Sequence, residues 1–318
     1  MLKPKVREVK IKSYAKVNLA LDVLGTREDG YHLLETVMQK VQLADSIQLR
    51  WEEADCVREG RNCESEMRII VSTNKPYLPT DERNLAYKAA RVMAEMTGRQ
   101  GRLFIHIEKH VPVAAGLGGG SSNAAAVMIA LNRLWKAGMN TRGLCELGKQ
   151  LGADIPFLIL VQNTDYECAL GTGSGDELKA LKKGMRKYLV LAKPAFGVST
   201  KEVFKGIDGC VITQRPDINA LVRALKTNEN EIVFANMVNV LEAYTCSRYK
   251  EVNELKEKME LTEGVQKVMM SGSGPTVMAV YDTYKAAKRA CLLIRSQGYE
   301  AYWTQTMKGI GGKKNAEF

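Results

Sequence analysis

The sequence predicts an α+β fold in two domains. At 318 residues the chain can hold two domains of ordinary size, each with its own hydrophobic core. Stretches with the alternation of a strand and stretches with helical spacing are mixed along the chain, and glycines are concentrated at a few turns. Because the sequence turns polar around residues 163–166, we expect a first domain over residues 1–163 and a second over 164–318.

The elements are predicted from apolar periodicity and from turn residues. Residues 6–24 alternate as one strand, and an Asp29–Gly30 turn leads into two returning strands at 33–41 and 45–51. A polar excursion at 56–66 should lie on the surface. The other first-domain elements are expected as strands at 67–72, 103–108 and 158–161 and helices at 84–97, 124–135 (with a serine N-cap) and after Thr141. The second domain should contain strands at 167–172, 189–192, 265–270, 276–281 and 299–305 and helices at 199–207, 217–227, 229–247, 249–261 and 285–297.

Composition narrows the functional classes. The chain is 45% hydrophobic and 26% charged, has no apolar run of about 18 residues, and begins without an apolar signal region, so we expect a cytoplasmic protein. Seven cysteines form no Cys-x-x-Cys pair, and three histidines give no zinc-ligand spacing, which indicates reduced thiols and no metal held by such a motif. The net charge of +10 suits an anionic ligand, either a small phosphate or nucleic acid.

The most informative stretch is a glycine-rich loop between a predicted strand and a predicted helix. Its sequence, residues 116–123, is Gly-Leu-Gly-Gly-Gly-Ser-Ser-Asn. Glycines let backbone N–H groups turn inward and let an anion approach closely, and a helix N-terminus adds unpaired N–H groups and a positive dipole end. Phosphate is therefore the expected occupant, with side-chain contacts from Ser121, Ser122 and Asn123. A tight packing turn is the structural alternative.

Other phosphate-binding motifs are absent from the sequence. Gly120 is followed by Ser121-Ser122 rather than the Lys-Ser or Lys-Thr of a Walker loop, and the sixth-position glycine of the dinucleotide fingerprint is missing. The chain also lacks the His-Arg-Asp and Asp-Phe-Gly motifs of protein kinases.

The segment from Pro112 to Ala125 resembles the phosphate loop of the GHMP small-molecule kinases. This resemblance implies a two-domain fold, with a ribosomal-protein-S5-domain-2-like nucleotide domain, a ferredoxin-like C-terminal domain and the active cleft between them. It also implies ATP as phosphate donor, with Mg2+ carried on the ATP. The positions that match the family's nucleotide site are Asn84, Lys109, Pro112, Gly116, Leu117, Gly118, Gly119, Gly120, Ser121, Ser122 and Asn123.

Phosphoryl transfer also needs a group that orients or deprotonates the acceptor hydroxyl. We expect Asp154 in that role, assisted by Lys16, because a lysine beside a carboxylate can keep it charged and can stabilise the transferring group. Taken alone, Asp154 could be a helix cap and Lys16 an exposed strand residue. Both match catalytic motifs of the family, Asn18 matches a position that faces the acceptor, and Gly272-Ser273 lies in a matching third loop.

Residues 25–36 indicate which substrate the enzyme takes. They resemble the segment that contacts cytosine in one branch of the family, where Tyr31 would stack on the base and His32 would bond its edge. Phe204 and Lys205 match a second aromatic segment there. The resemblance thus implies phosphorylation of a hydroxyl on a small molecule with a cytidine diphosphate group, in the non-mevalonate route to isoprenoids.

Two alternatives remain at this point. Another GHMP kinase, acting on homoserine, mevalonate or a sugar, would lack a reason for the Tyr31-His32 segment. An RNA-binding protein would explain the charge but not the phosphate loop or Asp154. Asn123, where many family members carry Asp, leaves direct protein ligation of magnesium open.

Overall fold

The computed structural model describes residues 6–28, 30–54 and 67–307. The predicted excursion at 56–66 and Asp29 of the predicted turn lie outside these ranges. Within the described part of the chain, no helix has the length and apolar character needed to cross a membrane.

A six-stranded sheet forms the first part of the fold. Its longest strands, β1 and β2, pair antiparallel from Val6 opposite Glu52 to Thr26 opposite His32. The predicted break between strands 33–41 and 45–51 is wrong, because β2 runs through both without interruption. The strands lie in the order β3-β4-β2-β5-β6, with β1 also on β2. They are β1 Val6–Thr26, β2 His32–Glu53, β3 Arg68–Thr73, β4 Gly101–Glu108, β5 Cys168–Thr172 and β6 Glu177–Leu181.

Among the described residues, four helices belong to this part of the fold: α1 Leu85–Thr97, α2 Gly119–Leu134, α3 Thr141–Lys149 and α4 Asp154–Asn163. Helix α2 begins inside the glycine loop, at Gly119, and its N-cap is Gly118 in the left-handed conformation. The predicted serine N-cap and the predicted helix start at residue 124 are therefore wrong. Every residue of α2 from Ser122 to Leu131 is buried, and its small alanines allow the close packing.

The predicted strand at 158–161 is also wrong, since these residues belong to α4. The segment from Ile155 to Val161 is buried on all sides of the helix. A helix without a polar face shows no 3.6-residue pattern, and a short apolar run does not distinguish it from a buried strand. The consequence for Asp154 is specific: it is the first residue of a helix rather than a residue between a helix and a strand.

The second part of the fold is a four-stranded antiparallel sheet with helices around it. Its order is β10-β7-β9-β8. The predicted helix at 229–247 is interrupted, because residues 238–240 leave it to pair with Leu21 of β1. The strands are β7 Tyr188–Lys193, β8 Val265–Met270, β9 Val277–Tyr281 and β10 Glu300–Gln305. The helices are α5 Thr200–Ile207, α6 Ile218–Thr227, α7 Asn230–Ala235, α8 Glu242–Arg248, α9 Lys250–Glu260 and α10 Tyr284–Ser296.

Mixed strands and helices agree with the predicted α+β class. The proposed division after residue 163 stays a prediction. Strands β5 and β6 follow it in sequence yet extend the first sheet, where β5 pairs with β2. Hydrogen bonds from Leu21 N to Val238 O and from Val240 N to Leu21 O then join the two parts of the fold directly.

Lys40 on β2 is a fully buried cation. Its Nζ donates to the carbonyl of Val161 near the end of α4, at 2.5 Å. Burial lowers the pKa of Lys40 from 10.5 to about 8, although the Glu167 carboxylate nearby acts in the opposite direction. Between these two values the unfolded chain holds a proton that the folded chain has released. The contribution of Lys40 to the free energy of unfolding therefore rises with pH from about 8 to 10.5.

We expect this rise to disappear in Lys40→Met. The measurement is urea unfolding of the native chain and of the variant at pH 7 and pH 10. The comparison isolates Lys40, because the other titrating groups affect both proteins alike. The free energy of unfolding of the native chain should gain up to about 3 kcal/mol relative to the variant between these pH values, at about 1.4 kcal/mol per pKa unit. A difference between the two proteins that does not change with pH would contradict the lowered pKa.

Candidate active site

A cavity of about 550 Å³ lies between the two parts of the fold. The first part contributes the glycine loop, Lys16, Asn18 and Asp154, and the second contributes Thr200, Phe204 and Gly272-Ser273. Residues far apart in the sequence are thus brought to one place. Of the predicted site residues, those that line this cavity are Lys16, Asn18, Asn84, Lys109, Pro112, Gly116, Leu117, Gly118, Gly119, Gly120, Ser121, Asn123, Asp154, Phe204, Gly272 and Ser273.

The glycine loop is shaped by two residues with positive φ, Gly116 at 70° and Gly118 at 66°. A Cβ on Gly116 would lie 2.4 Å from the carbonyl oxygen of Ser271, and one on Gly118 would lie 3.0 Å from Cγ of Lys16. Both positions thus favour glycine for conformation, and Gly116 also requires it for space. Because Gly118 provides no side-chain cap, the N–H groups in the first turn of α2 are left for an anion.

Lys16, Asn18 and Asp154 form a polar group beside this loop. Lys16 is 5% exposed, and its Nζ donates to Oδ1 of Asn18 at 2.8 Å and lies 3.5 Å from Oδ1 of Asp154. The backbone N–H of Lys16 donates to the carbonyl of Leu117, which ties β1 to the glycine loop. The Asp154 side chain is 35% exposed, so its carboxylate is open to the cavity. A base and a cation therefore face the space next to the helix α2 N-terminus.

A buried network organises the opposite side of the loop. Asp45 is fully buried, and its carboxylate accepts hydrogen bonds from Nζ of Lys109 at 2.6 Å and Nδ2 of Asn123 at 2.8 Å. It also accepts from the backbone N–H groups of His110 and Val111. Four donors on one carboxylate fix the junction between β4 and the glycine loop. Sequence reasoning missed Asp45, because a single aspartate in a strand gives no signal of its partners.

The side chain of Ser122 is engaged within the protein. Its hydroxyl donates to the carbonyl of Tyr14 at 2.6 Å and accepts from Oγ of Ser13 at 2.8 Å. A phosphate contact through this hydroxyl would leave the Tyr14 carbonyl without that donor. Ser122 does not line the cavity, whereas Ser121 does. The contact expected of Ser122 with phosphate stays a prediction.

Two of the predicted base-binding residues, His32 and Phe204, meet at one end of the cavity, near α5. The His32 ring lies 5.3 Å from the Phe204 ring, between centroids, at an interplanar angle of 36°. The Tyr31 side chain is exposed, at 67%. Phe204 lines the cavity, whereas Tyr31, His32 and Lys205 do not. The structure thus brings His32 to Phe204 and leaves the Tyr31 ring open to solvent.

Further cavity residues were not identified from the sequence as site residues. Thr200 begins α5, and its hydroxyl lies 2.9 Å from that of Ser273. Arg83 precedes α1, and Ser174 lies in the β5–β6 turn. Asn84, by contrast, was predicted, and it also caps α1 by accepting from Ala86 N at 2.9 Å. Of these residues, Thr200 lies closest to a sequence signal, because it falls just before Phe204 and Lys205 in the segment that resembles the family's second aromatic segment.

Comparison with known proteins agrees with this geometry. Residues 84–161 match the GHMP kinases N terminal domain, and residues 215–300 match the GHMP kinases C terminal domain. A 4-diphosphocytidyl-2-C-methyl-D-erythritol kinase of Clostridium botulinum (strain Alaska E43 / Type E3) is 40% identical over 93% of this chain and 99% of its own length. The protein of that name from Alkaliphilus metalliredigens (strain QYMF) is 41% identical over 90% of this chain and 92% of its own length.

Solved structures show the same architecture. A crystal structure of 4-(cytidine 5'-diphospho)-2C-methyl-D-erythritol kinase is 31% identical, covers 93% of this chain and 98% of its own, and superposes with a TM-score of 0.75. A homoserine kinase from Cytophaga hutchinsonii is 19% identical with a TM-score of 0.71, covering 98% of this chain and 97% of its own, which supports the fold alone. The predicted α+β, two-domain fold is therefore confirmed.

Proposed function

This chain belongs to the GHMP kinase family, and we propose that it phosphorylates the 2-hydroxyl of 4-diphosphocytidyl-2-C-methyl-D-erythritol with ATP. The products are the 2-phosphate and ADP, in non-mevalonate isoprenoid biosynthesis. One observation carries the proposal: a single cavity holds the glycine loop, the Lys16–Asp154 pair and Phe204. Relatives at about 40% identity that bear this kinase name support it, and none of these features favours homoserine, mevalonate or a sugar.

The phosphates of ATP would bind at the N-terminus of α2. The N–H groups of the first turn point to an anion there, and Lys109 adds a cation that Asp45 holds in place. Asn84, at the start of α1, would border the rest of the nucleotide. In this arrangement the γ-phosphoryl group would lie toward Lys16 and Asp154, on the other side of the loop.

Magnesium would enter with ATP, and when bound it would spread the charge of the triphosphate. Across residues 6–28, 30–54 and 67–307, no three His, Cys, Asp or Glu side chains cluster as metal ligands. The Asn123 Oδ1 lies 3.3 Å from Nζ of Lys109 and accepts from this cation. Asp45 is already bonded to four donors. These side chains therefore fit a metal carried by the nucleotide rather than one held by the protein.

The acceptor hydroxyl would meet Asp154. An Asp154 carboxylate oxygen would take the proton of the 2-hydroxyl. The hydroxyl oxygen would at the same time attack the γ-phosphorus, and ADP would leave. Lys16, 3.5 Å from that carboxylate, would stabilise the charge on the transferring group, and Asn18 keeps the lysine in position. Asn18 is held in turn, because its Nδ2 donates to Oγ1 of Thr36 at 2.8 Å.

The cytosine would bind at the α5 end of the cavity, between Tyr31 and Phe204. Tyr31 is 67% exposed, so a base can approach its side chain from the solvent side. Lys205, near Phe204 on α5, would be placed toward the diphosphate of the substrate, and Gly272 and Ser273 toward the transferring phosphoryl group.

Tyr31→Ala should raise the KM for the cytidyl substrate by about 5- to 100-fold, since stacking on one base contributes roughly 1–3 kcal/mol. The KM for ATP should change by less than about twofold. Tyr77 is a matched control, because it is equally exposed, at 69%, and its neighbour Leu78 lines the nucleotide side of the cavity. Tyr77→Ala should leave the KM for the cytidyl substrate unchanged. Equal increases in both KM values for Tyr31→Ala would assign the tyrosine a structural role.

The direct test of the proposed function is ADP release by purified protein with ATP, magnesium and one acceptor at a time. Turnover with the cytidyl substrate and none with homoserine or mevalonate is the expected result. Turnover with another acceptor alone would replace the proposed substrate. Absence of turnover with every acceptor, together with salt-dependent RNA binding, would favour the nucleic-acid alternative.

We also propose a cytoplasmic location. Among the described residues, Cys145, Cys168, Cys210, Cys246 and Cys291 are all unpaired, which fits a reducing compartment.

A further inference from the structure

The His32 imidazole is held from two directions by the second part of the fold. Its Nε2 lies 2.8 Å from Oδ1 of Asp208, and its ring packs on Phe204. Phe204 lies on α5 and Asp208 is the C-cap of that helix, so both contacts come from one rigid element. These contacts fix the ring plane and one of its two nitrogens.

The other nitrogen is unused. The His32 side chain is only 10% exposed, and within the described ranges no hydrogen bond is made to Nδ1. Residues 32, 34 and 36 lie on the same face of β2, because side chains in a strand alternate. Leu34 and Thr36 both line the cavity, so His32 lies at the cavity end of that row. A side chain that is nine-tenths buried and has one nitrogen without a protein partner at this place points to a ligand.

Asp208 occupies a position that helix electrostatics disfavours. A negative charge at a helix C-terminus is repelled by the dipole, and a pair in which one carboxylate is 55% exposed adds little stability. Its presence there is better explained by what it does to His32 than by the stability of α5.

We propose that Asp208 is a positioning residue that sets the base specificity of the cytidyl site. A carboxylate accepts hydrogen bonds only, so Asp208 selects the His32 tautomer that carries its proton on Nε2. Nδ1 is then a lone-pair acceptor. This inference depends on the proposed function, since it assigns a task within the same substrate site.

The chemistry of the bases gives the direction of the preference. Cytosine presents an exocyclic amine, a donor, at the position where uracil presents a carbonyl oxygen. An Nδ1 acceptor can bond the amine of cytosine, whereas the carbonyl of uracil would leave two acceptors facing each other. A site built around one hydrogen bond rejects the analogue that lacks it. The locked tautomer would therefore favour a cytidine diphosphate group over a uridine diphosphate group.

The kinetic test compares the cytidyl substrate with its uridyl analogue. For Asp208→Ala, the KM for the cytidyl substrate should rise about three- to tenfold, the effect of one lost hydrogen bond. The preference for the cytidyl over the uridyl substrate should fall by a similar factor. The kcat and the KM for ATP should stay within about twofold of the native values, since neither the glycine loop nor Asp154 contacts Asp208.

Asp282→Ala is the matched control. Asp282 is also about half exposed, at 52%, and it pairs with a single side chain, Lys187. Its substitution should leave the preference between the two substrates unchanged. If Asp208→Ala also leaves that preference unchanged while the native enzyme turns over the cytidyl substrate, the inference is wrong and the proposed function stands. If the native enzyme does not turn over the cytidyl substrate, the proposed function itself fails.

The tautomer can be observed directly. The chain has only three histidines, so nitrogen NMR of the imidazoles gives three spin systems, and His106→Gln and His110→Gln identify the third as His32. We expect a protonated Nε2 and an unprotonated Nδ1 for His32 at pH 8, and mixed tautomers in Asp208→Ala. A proton on Nδ1 in the native protein, or the same spectrum in both proteins, would overturn the inference.

Discussion

Asp154→Asn should abolish phosphoryl transfer while ATP binding survives. The amide has the size of the carboxylate but takes no proton from the acceptor hydroxyl, and a general base of this kind accounts for about 10²–10⁴-fold in rate. Asp154 is the first residue of α4 and its carboxylate faces the cavity, so the change leaves the glycine loop intact. Single-turnover measurements of product, together with titration of ATP binding, would separate the two effects.

Loss of a carboxylate from the first turn of a helix also removes a favourable interaction with its dipole. Glu251→Gln makes the same change in the first turn of α9, away from the cavity, and should leave turnover unchanged. Near-normal turnover in Asp154→Asn would remove Asp154 as the base.

Gly116→Ala should disrupt the contact between the glycine loop at 116–123 and a second glycine loop at residues 271–274. The alanine Cβ would lie 2.4 Å from the Ser271 carbonyl oxygen, at a backbone φ of 70° that alanine also disfavours. We expect the free energy of unfolding to fall and the KM for ATP to rise at least tenfold, because the loop must move away from residues 271–274. Urea unfolding and ATP kinetics measure the two effects.

Gly98→Ala is the control that separates the two costs expected for Gly116→Ala, the left-handed backbone conformation and the overlap with Ser271. Gly98 has a similar φ of 62° but would place its Cβ in open space, so only the cost of the left-handed conformation applies, roughly 1–2 kcal/mol. Gly116→Ala should lose a further 1–3 kcal/mol or so from the overlap with Ser271. Equal losses in the two variants, with ATP kinetics unaffected, would show that the loops do not depend on this close approach.

The sequence was most informative where local chemistry is distinctive. The glycine loop was located because glycines in series followed by a helix have few other uses, and Lys16 and Asp154 were linked to it by resemblance rather than by periodicity. Their separation of 3.5 Å could not be derived from the pattern, because it depends on how β1 and α4 pack.

Sequence reasoning was least informative where burial removes the pattern or where the partner is distant. Residues 158–161 of helix α4 were predicted as a strand because the central residues of this helix are all apolar. Asp45 and Asp208 were missed because an isolated aspartate has the same signal whether it caps a turn, binds a lysine or orients a histidine. Only the tertiary structure shows that the partners are Lys109 and Asn123 for the first and His32 for the second.

The unbroken strand β2 has a consequence for how this site can change during evolution. It carries His32 near the proposed base-binding end of the cavity and Asp45 near the glycine loop, so one covalent segment sets the offset between them. Inserting or deleting a single residue between these positions would reverse the faces of all side chains beyond it. The segment between them should therefore tolerate substitutions far more readily than changes in length, and new acceptor preferences should arise at the surrounding loops instead.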